Sequence, residues 1–229
     1  MKKIIFTNTF LNEEIEPPVP ASLIIPEWYK QMESYVGGLK KPPLDGGTAS
    51  TIKRCMPVFD SITAGYIITL PGDLYVTQVD GQPYYRWTSN TVVEFHGRAQ
   101  LNTYPNHKDL NSFPKFTNPW SIKTPRGYSC LFTQPFHRPT VFTILDGIVD
   151  TDKYTAPVNF PFALNDMKWE GMILKGTPIA QVIPFKRESW KFEIGQEDSF
   201  KEQKSVTSKL RSKLFDSYKT QFWSRKEFK

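Results

Sequence analysis

The chain has 229 residues, enough for one substantial domain with extensions or at most two small ones. Nineteen prolines and an aromatic content of 14% argue against a helical bundle, because proline breaks helix interiors and aromatic residues favour strands. The net charge of +6 resides in residues 200–229, which hold nine Lys/Arg against three acids; the rest of the chain balances at 20 against 20, so no basic nucleic-acid groove is expected in the body.

Residues 1–50 read as an extension lying along a surface, held by Ile24, Ile25, Trp28 and Tyr29. It is punctuated by proline, and "PEWYKQMESY" predicts one short helix with Pro26 at its first position. The apolar run near the N-terminus is too short for a signal peptide, and no stretch approaches a membrane span, so a cytoplasmic protein is expected. From about residue 51 the period becomes two. "AGYIITLPGDLYVTQV" and "YYRWTSNTVVEFHG" predict strands, with Asp80-Gly81 as a turn signal between them. "NHKDLNSFPKFTNPWSIKTPRG" reads as a long proline-rich connection. More strands are predicted at "GYSCLFTQ", "TVFTILDGIVD", "APVNFPF", "KWEGMILK" and "PIAQVIPFKR". Many short strands with such punctuation predict an all-β sandwich or barrel over residues 51–195.

Residues 196–229 return to a helical period: Val206, Leu210, Leu214, Tyr218 and Phe222 recur every fourth residue, and lysines fill the other face. This basic amphipathic helix is expected to dock on its own barrel or on a sister subunit, with an acidic partner or nucleic acid as the alternative. Cys55 and Cys130 both lie in strand-like contexts and read as buried free thiols. His96, His107 and His137 have no metal-ligand spacing, and no metal site is expected from them. His137-Arg138 in "QPFHRPT" is a place where a cation could meet a phosphate.

The stretch "GIVDTDKYTAPVNFPF" (residues 147–162) places Asp150 and Asp152 inside a strand-like run, and "KGTPIAQVIPF" follows 13 residues later. Together with "TAGYIITLPGDLYV" and "TPRGYSCLFTQP" upstream, these phrases resemble the motif series of the dUTPase and dCTP deaminase superfamily, which shares the β-clip fold. The wider sequence is also similar to an uncharacterised, often phage-encoded family that carries "GIVDTDxY" and "NFPF" phrases. The resemblance implies a β-clip barrel in a homotrimer with clefts between subunits, in host cytoplasm or a virion if the chain is phage-encoded. By position, Asp150 would activate water as a general base, with Mg²⁺ and cationic side chains stabilising the phosphate charge. Asp152, Tyr154, Gln181, Tyr66, His137 and Arg138 would be ligand-binding, with Tyr154 as the sugar platform.

The sequence also departs from that pattern. Ile67 stands where the first motif has aspartate, and Phe136-His137 stand where a phosphate-gripping Arg-Ser belongs. Lys153 delays Tyr154 by one residue, and the glycine-rich closing motif is replaced by the basic helix. Aspartates also cap turns by bonding nearby backbone, and "DTDK" as the polar tip of a hairpin ranks ahead of a catalytic pair. Three functions stay open: a non-catalytic dUTPase-like protein acting in binding or assembly, a pyrimidine deoxynucleotide pyrophosphatase using Asp150 and Mg²⁺, and a binder of nucleic acid or an anionic surface through residues 200–229.

Overall fold

The computed structural model describes residues 2–10, 15–39, 50–88, 92–100, 112–195, 198–212 and 217–229. The chain divides into two compact units, Met1–Ile24 with Gly65–Arg187, and Ile25–Ala64 with Glu188–Lys229. His107, Leu214 and the segment 40–49 lie outside the described residues.

The first unit holds the strands: β1 (Ile5–Asn8), β2 (Val19–Pro20), β3 (Tyr66–Thr69), β4 (Leu74–Val79), β5 (Gln82–Trp87), β6 (Val93–Gly97) and β7 (Ser112–Phe116). They continue with β8 (Trp120–Lys123), β9 (Tyr128–Thr133), β10 (Phe142–Ile144), β11 (Gly147–Val149), β12 (Phe160–Leu164), β13 (Gly171–Ile173) and β14 (Pro178–Lys186). They pair in the orders β11-β9-β14-β3-β2, β10-β12-β7-β6, β13-β4-β5 and β1-β8. The β-rich, helix-poor body is the one that the alternation of apolar and polar residues predicts. The turn between β4 and β5 uses Asp80 and Gly81 at φ of 51° and 73°, the left-handed pair that a two-residue hairpin needs.

Inward-facing residues of the sheets share one core. Phe116 of β7 is stacked on Phe162 of β12 with ring centroids 3.8 Å apart and planes 9° from parallel, and Phe142 of β10 meets Phe116 edge-on at 4.9 Å. Leu74, Val76, Ile68, Ile179 and Val182 extend this core into the neighbouring sheets. Gly65, just before β3, has φ +67°, and a Cβ there would lie 2.0 Å from the Val182 carbonyl oxygen.

The N-terminal residues differ from the expected surface extension. β1 pairs antiparallel with β8, β2 pairs with β3, and Ile15 joins the core, so residues up to Ile24 are built into the β unit. The proline-rich connection also differs, because it contains β7 and β8.

The second unit holds α1 (Glu27–Gln31), α2 (Met56–Thr63), α3 (Asp198–Ser212) and α4 (Ser217–Gln221). Cys55 is therefore not on a strand. It is the half-buried residue that begins α2, where Pro57 suits the first turn. Tyr29 of α1 packs near Phe59 of α2 and donates its hydroxyl to the Lys53 carbonyl at 2.9 Å. After α4 the chain leaves the helix at Trp223. The Trp223 indole donates to both Asp60 oxygens at 3.0 Å, and Lys226 pairs with the same carboxylate at 2.6 Å. These bonds tie the tail to α2 and compete with continuation of the helix. Every residue of α3 from Phe200 to Leu210 is exposed, its apolar positions included. Among the described residues no helix is long and apolar enough to cross a membrane.

Candidate functional site

The aspartate pair forms a tight turn at the end of β11. The Asp150 carbonyl accepts from the backbone N–H groups of Lys153 and Tyr154, both at 2.9 Å, which closes the turn over Thr151 and Asp152. Because β11 pairs antiparallel with β9 and β9 with β14, this turn lies beside the start of β9 and the end of β14. Arg187, the residue after β14, is thereby delivered between the two carboxylates.

Arg187 binds Asp152 through both arms of its guanidinium, Nη1 to Oδ1 at 2.7 Å and Nη2 to Oδ2 at 2.6 Å. The Gly127 N–H donates to Asp152 Oδ2 at 2.8 Å, and the Asp152 side chain is only 3% exposed. Asp150 is 47% exposed; its Oδ1 accepts from the buried Ser129 hydroxyl at 2.7 Å and lies 3.1 Å from Arg187 Nη1. Beneath the turn, Thr151 is buried and bonds Thr124 Oγ1 at 2.8 Å and the Cys130 sulfur at 3.3 Å. Burial pushes the Cys130 thiol up to about 11.

These contacts set the charge states. The Arg187 guanidinium and the Gly127 N–H hold Asp152 well below the usual carboxylate range. The Ser129 hydroxyl, then Arg187, hold Asp150 below its ordinary value. Both carboxylates are ionised at neutral pH, and each is a weaker base than a free aspartate. A general base works best with a pKa near the operating pH, so the cluster moves Asp150 away from that role. Nor does the donor set fit a protein-held Mg²⁺. The carboxylates are already neutralised by Arg187, and a cation placed between them would face a fixed guanidinium. Asp152 belongs to the turn, not to a ligand surface.

The ion cluster has a defined pH signature. A carboxylate whose pKa is depressed on folding contributes stability that is present above its unfolded pKa and lost as pH falls through the folded one. Arg187→Met should therefore lower the melting temperature most near neutral pH. The gap to wild type should close as pH drops below about 4. Melting curves between pH 2 and pH 8 test this; a gap that is the same across that range would show that Arg187 acts by packing alone. Asp150→Asn should have the smaller effect, because Asp150 is half exposed and meets Arg187 through one oxygen.

The remaining candidates sit elsewhere. Gln181 is buried on β14 and accepts from the Phe136 N–H at 2.9 Å, fixing the turn in which His137 takes φ +56°. Arg138 donates from Nη2 to the Ile24 carbonyl, and burial lowers its pKa. This second cluster lies past the far end of β9 from Asp150. The six residues of β9 put about 20 Å between the two within one chain. Tyr66 is a core side chain, packed edge-on against Phe6 at 5.2 Å, not a ligand-facing one. Ile67, where the motif has aspartate, is fully buried.

Tyr154 is exposed and borders an open cleft of about 440 Å³ with His96, Lys115, Val149 and Asn159. Lys115 in this cleft is paired with Glu94 at 2.9 Å. Of the functional residues, sequence reasoning missed Arg187, Ser129 and the Lys115 cleft. The signal for Arg187 was the terminal arginine of "PIAQVIPFKR", which gains meaning only from the β9–β14 register that pairs Lys186 with Tyr128.

No family model matches the chain, and no curated protein matches it. Among solved structures it is similar to a mutant dUTPase from phage phi11 of S. aureus that coordinates a structural Mg(II) ion. The identity is 15%, covering 58% of this chain and 84% of that one, with a TM-score of 0.32. It is likewise similar to a mutant dUTPase of Staphylococcus bacteriophage 80alpha solved with dUpNHpp, at 15% identity, 58% and 76% coverage and a TM-score of 0.31.

Proposed function

We propose that the chain is a non-catalytic, dUTPase-like β-clip protein of phage origin that acts in binding or assembly as a homo-oligomer. The observation that carries this reading is the Arg187 bridge across Asp150 and Asp152. It consumes the charge that would bind a metal or activate water, and it explains both carboxylates as a turn lock. Two further observations support it. Ile67 is buried where a carboxylate would be needed, and Arg138 is spent on a backbone carbonyl at the far end of β9. What persists from the motif series is what shapes the fold: Gly65, the β11 turn and the apolar run of β14.

The test is incubation of the full chain with each pyrimidine deoxynucleoside triphosphate and Mg²⁺, reading pyrophosphate release. No release above the rate without protein is expected, and Asp150→Asn should leave that baseline unchanged. Turnover of dUTP or dCTP that Asp150→Asn removes would replace this reading with the pyrophosphatase one.

A further inference from the structure

The segment after Arg187 is the most unpartnered apolar surface in the chain. Trp190, Phe192 and Ile194 are 88%, 84% and 78% exposed, and they alternate with Lys191 and Glu193. An alternating run of this kind presents one apolar and one charged face when extended. Its root is fixed: the Arg187 N–H donates to the Gly127 carbonyl at 2.9 Å, and the Arg187 side chain is locked by the two aspartates. A fixed root lowers the ordering cost of docking whatever follows it.

The same chain carries an uncovered surface of matching kind. In the sheet β13-β4-β5, Leu74, Val76, Tyr85 and Ile173 face the core. The opposite face holds Met172 directly across from Tyr75, and Tyr84 across from Thr77, with Val79 beyond; Met172, Tyr75, Tyr84 and Val79 are all exposed. Donor and acceptor thus occur once each per chain, which is the requirement for a head-to-tail contact between copies.

We infer that residues 188–195 form an arm whose Trp190, Phe192 and Ile194 cover the outer face of β13-β4-β5 in a second copy of this chain. The inference rests on the assembly reading above and names the surface that performs it. Area decides the form of the assembly. Two aromatic side chains and an isoleucine remove roughly 500 Å² of arm surface from water, and a similar area of sheet. One arm therefore buries about 1,000 Å², short of the roughly 1,200 Å² at which stable interfaces begin. Full use of every arm, in a closed pair or ring, roughly doubles that for each subunit and leaves neither surface exposed. A lipid surface is the poorer occupant. α3, which follows the arm, is dominated by Lys, Ser, Glu and Gln and lacks the continuous apolar face that interfacial helices insert.

The test uses the full chain at tens of micromolar, with mass read by light scattering. Wild type should be a closed oligomer, and Trp190→Ser/Phe192→Ser/Ile194→Ser should be monomeric with unchanged circular dichroism, an association weakened at least 100-fold. All three side chains are exposed, so the fold does not depend on them. Tyr84→Glu should dissociate the oligomer from the acceptor side. A photo-crosslinking residue at position 192, in a mixture of isotopically heavy and light chains, should join heavy to light through peptides of β4, β5 or β13. A monomeric wild type, an oligomer that survives the triple change, or crosslinks confined to one chain would each overturn the arm. So would loss of anionic-vesicle binding in the triple variant while its oligomer persists. Nucleotide turnover would sink the non-catalytic reading and leave these masses unchanged, so the two failures are separable.

Discussion

Gly65→Ala should abolish soluble expression, or cost more than about 3 kcal/mol if the protein still folds. Two penalties coincide there. The backbone sits at φ +67°, which costs a residue with a Cβ about 1–2 kcal/mol. The new Cβ would also stand 2.0 Å from the Val182 carbonyl oxygen and 2.9 Å from its carbon. Both atoms are backbone of β14, which lies between β9 and β3, so relief would require displacing a strand with ladders on both sides. Denaturant titration of any soluble fraction measures the loss. A variant within about 1 kcal/mol of wild type would mean that the β3–β14 approach is looser than the geometry implies.

Phe116→Ala should cost about 3–5 kcal/mol, the range for emptying a fully buried aromatic site. Phe116 is fully buried, stacked on Phe162 and in edge contact with Phe142, so its loss opens a hole among three strands of one sheet. Phe116→Leu should recover more than half of that, since leucine refills much of the volume. Chemical denaturation with an unchanged slope would read both values; equal stabilities for the alanine and leucine variants would refute cavity formation as the cause.

Much of the β architecture was readable because alternation has a period that no helix shares. Asp80-Gly81 fixed one hairpin outright, and "PIAQVIPF" fell on a central strand with Ile179 and Val182 in the core. β7 was hidden by Pro114, a residue that normally argues against a strand. In the folded chain Pro114 pairs with Phe95 of β6, whereas β12 reaches only Lys115 and Phe116, so the missing N–H is required by no second neighbour. β1 was hidden because its partner, β8, is more than a hundred residues away and was itself obscured by prolines. Helix α2 looked like strand because "IKRCMPVF" is apolar and β-branched at its start; Pro57 in the first helical turn was the contrary signal.

The candidate site was legible in its parts and not in its wiring. "DTD" announced a turn or a base, and spacing alone could not choose between them. The choice comes from Arg187, which is 35 residues from Asp152 in sequence and adjacent to it only through two antiparallel ladders. A cation so placed converts a pair that resembles catalytic machinery into a fastening. Tyr154, delayed by Lys153, keeps an exposed ring at the rim of the Lys115 cleft, whereas Tyr66 is absorbed by the core.

The position of β14 bears on how the protein is made. The central strand of the five-stranded sheet is the last strand in the chain, and it pairs with β3 across about 110 residues. At ribosomal rates of about 5–20 residues per second, β3 waits on the order of ten seconds before its partner is synthesised. During that interval β2, β3, β9 and β11 have no strand to join them into a sheet, and their apolar edges are open. The nascent chain must therefore stay unassembled until almost all of it has left the exit tunnel. Any stall before residue 186 leaves a strand set with its middle missing, which is a target for chaperones and proteases rather than a partly working protein.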